Sequence, residues 1–157
     1  MSPAPVFISK TRFPSDLAVV RRLLGEYAGT LDPELLAQDF TGELDALPDQ
    51  YIEPNGQMLL AWCGDEAVGC IGLRRVDARA CEMKRLYVRP QSRGRKIGSL
   101  LVERICIEAR DAGYTRMRLA TLGSMTCAHK LYRAAGFLPV QPFVPPLPGS
   151  LFFEREL

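Results

Sequence analysis

The chain has a single histidine, His129, and a single tryptophan, Trp62. Its five cysteines, Cys63, Cys70, Cys81, Cys106 and Cys127, are odd in number and scattered, and none stands in a CxxC spacing. One imidazole and no thiol pair leave no basis for a zinc site or a disulfide framework, so no metal is expected and a reducing compartment fits. Long apolar runs are also missing. Nothing approaches the roughly 18 consecutive apolar residues that a membrane span needs, and Met1-Ser2-Pro3-Ala4-Pro5 lacks the basic and apolar regions of an export signal. A cytoplasmic protein without a membrane partner is the expectation. Excess charge is scarce too: 20 lysines and arginines face 18 acidic residues, a formal net charge of +2, which is too little to draw nucleic acid by itself.

At 157 residues the chain is about one domain long, and a domain of this size buries roughly 70% of the surface its unfolded chain exposes. We expect residues 1–157 to form one domain. Val6 to Ile8 reads as a first strand, and Pro14 to Gly29 as a helix with Leu17, Val20, Leu23, Leu24 and Tyr27 recurring at three and four. A second helix is expected from Pro33, capped by Asp32, with Leu35, Leu36, Phe40, Leu44 and Leu47 inward, followed by a loop from Pro48 to Gly56. Met58 to Cys63, Ala67 to Arg75 and Cys81 to Val88 read as three strands of an antiparallel meander. A helix from Ile97 to Ala112, a strand from Thr115 to Leu122 and a helix from Ser124 to Ala135 follow. Phe137 to Val140 and Leu151 to Glu156 close the series around the proline-rich loop Pro142 to Gly149. The order β-α-α-β-β-β-α-β-α-β-β predicts an α/β sandwich with helices on both faces of one sheet.

Charge is concentrated in one place. From Lys84 to Lys96 the chain carries Arg85, Arg89, Arg93 and Arg95 and no acid. The segment Val88-Arg89-Pro90-Gln91-Ser92-Arg93-Gly94-Arg95-Lys96-Ile97-Gly98-Ser99 joins a strand to a helix start, which offers unpaired N–H groups and a positive dipole end. Gly94 lets the backbone approach a ligand, and Arg93, Arg95 or Lys96 supply charge, so the turn suits a diphosphate. Neither GxxxxGK with Ser or Thr nor GxGxxG is present. An ordinary strand-to-helix connection with solvated basic residues is the alternative.

These residues resemble motif A of the GNAT superfamily of acyl-CoA N-acetyltransferases, Gln/Arg-x-x-Gly-x-Gly/Ala, through Gln91 and Gly94; Lys96 stands where that pattern has glycine or alanine, and Gly98 where many members carry another glycine. Lys84-Arg85-Leu86-Tyr87-Val88 before the turn and Leu131-Tyr132-Arg133-Ala134-Ala135-Gly136-Phe137 after it also resemble the flanking family segments, so the likeness runs from about Val68 to Val140. The resemblance implies a GNAT-like fold, with a mixed, mostly antiparallel sheet of about seven strands flanked by about four helices. It implies acetyl-CoA as co-substrate and direct transfer of the acetyl group to a primary amine of a small molecule or peptide. A non-catalytic acyl-CoA-binding sensor is the alternative.

The same resemblance assigns cofactor binding to Leu86, Tyr87, Val88, Arg93, Gly94, Arg95, Lys96, Ile97, Gly98, Ser99 and Tyr132. Leu86 and Val88 would offer backbone groups to the pantetheine arm where their strand splays from the one holding Leu119 to Leu122. Tyr132 is the candidate general acid toward the thiolate, with a core aromatic as the plain reading. Glu82 is the candidate general base, with a surface carboxylate paired to Lys84 or Arg74 as the plain reading. His129 reads as a solvent-facing helix residue, with a base or proton relay as the rival role, and Cys127 as a small buried residue, with a place bordering the acetyl site as the rival. Tyr27, Phe40, Tyr51 and Trp62 are core aromatics or walls of an acceptor pocket; an acidic pocket, using Glu26, Asp39, Glu43 or Asp49, would favour cationic amines, and a basic one amino acids or acidic peptides. The last strand and its preceding loop offer an edge of the kind through which many family members form homodimers.

Overall fold

The computed structural model describes residues 4–31, 40–122, 126–146 and 148–157; the side chains of Thr41, Thr126 and Cys127 fall outside that description. Within those residues the order is β1 (Val6–Lys10), α1 (Leu17–Ala28), α2 (Thr41–Ala46), a 3-10 turn (Asp49–Tyr51), β2 (Gly56–Cys63), β3 (Glu66–Arg75) and β4 (Ala80–Val88). A second 3-10 turn (Pro90–Ser92) leads to α3 (Ile97–Asp111), β5 (Arg116–Leu122), α4 (Thr126–Ala134), β6 (Leu138–Pro139) and β7 (Ser150–Glu156). The expected element order is met. The start of the second helix, with Asp32, Pro33, Leu35, Leu36 and Asp39, lies outside the described residues, as do Ser124 and Met125.

The seven strands form one sheet in the order β1-β2-β3-β4-β5-β7-β6. All neighbours are antiparallel except β4 and β5. β3 is apolar on both faces because it lies between two layers: Val68, Ile71 and Leu73 join a core under α3 and α4, while Ala67 and Cys70 join a second core under α1. The three-and-four spacing of Ile97, Leu101, Val102, Ile105, Cys106 and Ala109 seats α3 on the first core. Val20, Leu23 and Leu24 of α1 seat on the second.

Two expected elements come out differently. The loop from Pro48 to Gly56 contains a 3-10 turn that drives Tyr51 into the core, where it is 2% exposed. The strand expected from Phe137 to Val140 shrinks to Leu138–Pro139, with one further bond from the Val140 N–H to the Phe152 carbonyl at 2.9 Å.

Candidate acetyl-transfer cleft

β4 and β5 pair in parallel for only three residues, Ala80 with Arg116, Cys81 with Met117 and Glu82 with Arg118. Both strands then run on without each other, to Val88 and Leu122. The parting has a local cause. The register of β4 against β3 slips between Cys70 and Gly72, and Arg85 takes the left-handed region at φ 61°. This bulge bends β4 and resets its alternation, so Tyr87 joins the core under α1 and Arg85 reaches Glu43 of α2, while Met83 joins the core under α3. A β-bulge with a left-handed residue normally uses glycine. An arginine stands here because its side chain is held from across the chain. Its Nε and Nη2 donate to the two carboxylate oxygens of Glu43 at 2.7 and 3.2 Å, and its guanidinium lies 4.3 Å from the centre of the Phe40 ring. Burial opposes the charge on Arg85, but the Glu43 hydrogen bonds and charge win and hold its pKa above the ordinary value. Tyr51 donates to Glu43 at 3.1 Å, and burial first, then Glu43, pushes its phenol well up.

The parted strands open a cleft of about 810 Å³. One wall is the turn before α3. Gly94 is left-handed at φ 88°, and a side chain added there would meet open space. Lys96, just before the helix, is left-handed at φ 60°. The first helical bond runs from the Leu100 N–H to the Lys96 carbonyl at 3.1 Å, so the amides of residues 94–99 precede the helical ladder. Amides of this kind, beside the cleft-lining Arg93 and Lys96, suit a diphosphate. Arg93 donates from Nε to the Val88 carbonyl at 3.1 Å.

The opposite wall is α4. Tyr132 lines the cleft but is 7% exposed, packed between Phe137 and Phe153 at ring-centre distances of 6.1 and 6.2 Å. Burial pushes its phenol well above the ordinary value, which keeps it protonated and a hydrogen-bond donor. Glu82 stands at the last paired rung, on the floor. Lys84 Nζ lies 3.1 Å from one of its oxygens and Arg118 Nε donates to the other at 3.2 Å.

Of the residues expected to bind cofactor or carry chemistry, all but Arg95 line this cleft. Arg95 turns toward the other end of the sheet, donating to the Ala4 carbonyl at 2.8 Å and lying 3.1 Å from the Cys63 sulfur, so only its backbone belongs to the turn. The aromatic wall divides. Tyr27 lines the cleft, Phe40 and Tyr51 are buried beneath it, and Trp62 bonds Ser9 at 2.8 Å beside Phe7. Glu26 is held by Arg89 through two bonds of 2.9 Å and by Tyr87 at 3.2 Å, and the Arg89 hydrogen bond keeps its carboxyl below the usual range. Neither Glu26 nor Glu43 is therefore a free acid for an acceptor. Asp49 borders a separate groove with Arg74 and Arg75. His129 is half-buried, its Nε2 2.6 Å from the Leu122 carbonyl. The Arg85–Glu43 pair and the Arg118 contact escaped the sequence reading, because the partners are 42 and 36 residues apart. One signal was available: a motif position that asks for glycine, here Lys96, marks a left-handed residue.

Residues 20–137 match the model of the Acetyltransferase (GNAT) family. The chain is 36% identical over 162 residues to an uncharacterized N-acetyltransferase of Schizosaccharomyces pombe, a match covering 100% of this chain and 98% of that protein. It is also 39% identical over 109 residues to an IAA acetyltransferase of Azospirillum brasilense, covering 67% of this chain and 71% of the relative. Among solved structures, the PaiA N-acetyltransferase of Thermoplasma acidophilum in complex with coenzyme A superposes with a TM-score of 0.77 at 20% identity, over 98% of this chain and 99% of that one. The chain belongs to the GNAT family and is an acyltransferase.

Proposed function

We propose that the protein, a single cytoplasmic domain, transfers an acetyl group from acetyl-CoA directly to a primary amine of a small molecule or peptide. The observation that carries this reading is the parting of β4 from β5 after Glu82 and Arg118, with the turn at Gly94 on one side of the gap and Tyr132 on the other. In this reading the amides of residues 94–99, with Arg93 and Lys96, hold the diphosphate. The unpaired edge of β4 at Leu86 and Val88 bonds the pantetheine arm, as a missing strand would. The Thermoplasma protein of the same fold was solved in complex with coenzyme A, and this reading gives the chain the same ligand. The free thiols Cys63, Cys70, Cys81 and Cys106 fit a reducing location.

The bound thioester supplies an acyl carbon activated toward amines. Glu82, directly or through water, takes one proton from the acceptor ammonium, which frees its lone pair. The C–N bond forms as the C–S bond breaks. The nitrogen sheds its second proton, and Tyr132 gives its own to the departing sulfur and recovers one, so the net products are the amide, the thiol and one proton from the ammonium. Tyr132→Phe is expected to lower kcat by about 100-fold or more, within the range for a lost general acid, while leaving coenzyme A affinity and melting temperature in place. Steady-state thiol release, calorimetry and thermal melting check this together. A kcat for Tyr132→Phe equal to that of the parent would remove Tyr132 from the chemistry.

A further inference from the structure

The face of the sheet turned toward the acceptor carries a ladder of charge. Register places Arg74 of β3 opposite Glu82 of β4, Glu82 opposite Arg118 of β5, and Arg118 opposite Glu154 of β7. Lys84 and Arg116 adjoin it, pairing with Glu82 at 3.1 Å and Glu154 at 4.0 Å. Among the described residues, the four cations Arg74, Lys84, Arg116 and Arg118 thus face three carboxylates, Glu82, Glu154 and Glu156, the last opposite Arg116. Among the described neighbours, the exposed Asp77 acts on the outer cations Arg116 and Arg118, and the other charges are already paired. Arg85 and Glu43 neutralise each other, as do Arg89 and Glu26. Thr30 and Leu31 after α1, and Val144, Pro145 and Phe152 across the cleft, bring no charge.

An ordinary solvated face would have its long side chains in water. Arg116 obeys that rule, with its side chain 51% exposed. The three groups at the cleft floor do not: the side chains of Glu82, Lys84 and Arg118 are 14, 20 and 26% exposed. Arg118 is further covered by the Phe143 ring, 4.1 Å from its guanidinium carbon, and Phe143 is braced edge-on by Phe152 at 4.8 Å. One carboxylate shared by two screened cations leaves positive charge in a poorly hydrated place, where an anion is favoured and a simple ammonium is not.

We propose that the acceptor is a carboxylate-bearing primary amine, an α-amino acid, whose ammonium meets Glu82 and whose carboxylate meets Lys84 and Arg118. The inference rests on the acetyl-transfer reading and deepens it. A zwitterion with its two charges one carbon apart inserts into the existing ion pairs: its ammonium replaces the cations on Glu82, and its carboxylate takes the cations so released. No charge is stranded, whereas an amine lacking the carboxylate displaces Lys84 and Arg118 from Glu82 and supplies nothing in its place. The acceptor side chain would then lie against Leu31, Val144 and Phe152, so apolar amino acids head the class.

The test compares L-leucine, L-methionine and L-phenylalanine, each with its carboxamide and its decarboxylated amine, by thiol release with acetyl-CoA and by calorimetry into protein saturated with coenzyme A. The acid of at least one set is expected to exceed its amide about tenfold in kcat/KM and to give saturable heat where the amide gives none. Lys84→Gln and Arg118→Gln should each pull that ratio toward one. Amides or plain amines turned over as well as the acids, or turnover confined to amines outside the panel that lack a carboxylate, would overturn the acceptor class and leave acetyl transfer standing. No heat from coenzyme A and no thiol release with any amine would instead overturn the transfer reading, and this inference with it.

Discussion

Arg85 pairs an unfavourable backbone with a favourable side chain. A left-handed dihedral costs a non-glycine residue roughly 1–2 kcal/mol, and the guanidinium is then buried with Glu43 as its carboxylate partner among the described residues. Removing that partner leaves an uncompensated charge in the core. Glu43→Gln is expected to destabilise the fold by about 3–5 kcal/mol, whereas Arg85→Met with Glu43→Leu should recover most of the loss. Urea unfolding of the single and double variants measures both values; a loss under 1 kcal/mol for Glu43→Gln would mean that the pair is not the brace described. At this scale the sequence was legible where a residue's role is local. Gly94 and Tyr132 stand in short motifs, and their surroundings follow from their neighbours in the chain. Glu43, Arg85 and Arg118 were not legible, since each acquires its partner only when distant elements meet.

At the scale of elements, the turn from Gly94 to Ser99 and the helix behind it form one unit. Gly94 and Lys96 are both left-handed, but only one is a residue suited to it. Gly94→Ala should cost about 1–2 kcal/mol, all of it conformational, because the added methyl meets nothing within 4 Å. Lys96→Gly should move stability by about 1 kcal/mol in the opposite direction. Chemical denaturation of the two variants decides the matter: equal signs would show that these dihedrals are not what governs the turn. Strands and helices were readable here because a period of two or of three and four survives into the folded face, as along Met117 and Leu119 or Ile97 and Leu101. The bulge in β4 was not readable, for alternation through Met83, Arg85 and Tyr87 looks unbroken in the sequence.

Across the whole molecule, folding redistributes what the sequence gathers. The basic run from Lys84 to Lys96 looks like a single anion site, but the sheet sends its members to different places. Arg85 and Arg89 are spent on Glu43 and Glu26, and Arg95 leaves for the Ala4 carbonyl. Arg93 and Lys96 remain at the turn, and Lys84 joins Glu82 on the floor. One end of the gap between β4 and β5 thus suits a diphosphate, and the other an amine carrying its own carboxylate. Titration of acetyl-CoA into the folded protein by calorimetry tests this most directly. The account predicts saturable one-to-one binding with a Kd on the order of micromolar, about −8 kcal/mol, whereas no heat at millimolar acetyl-CoA or coenzyme A would contradict it.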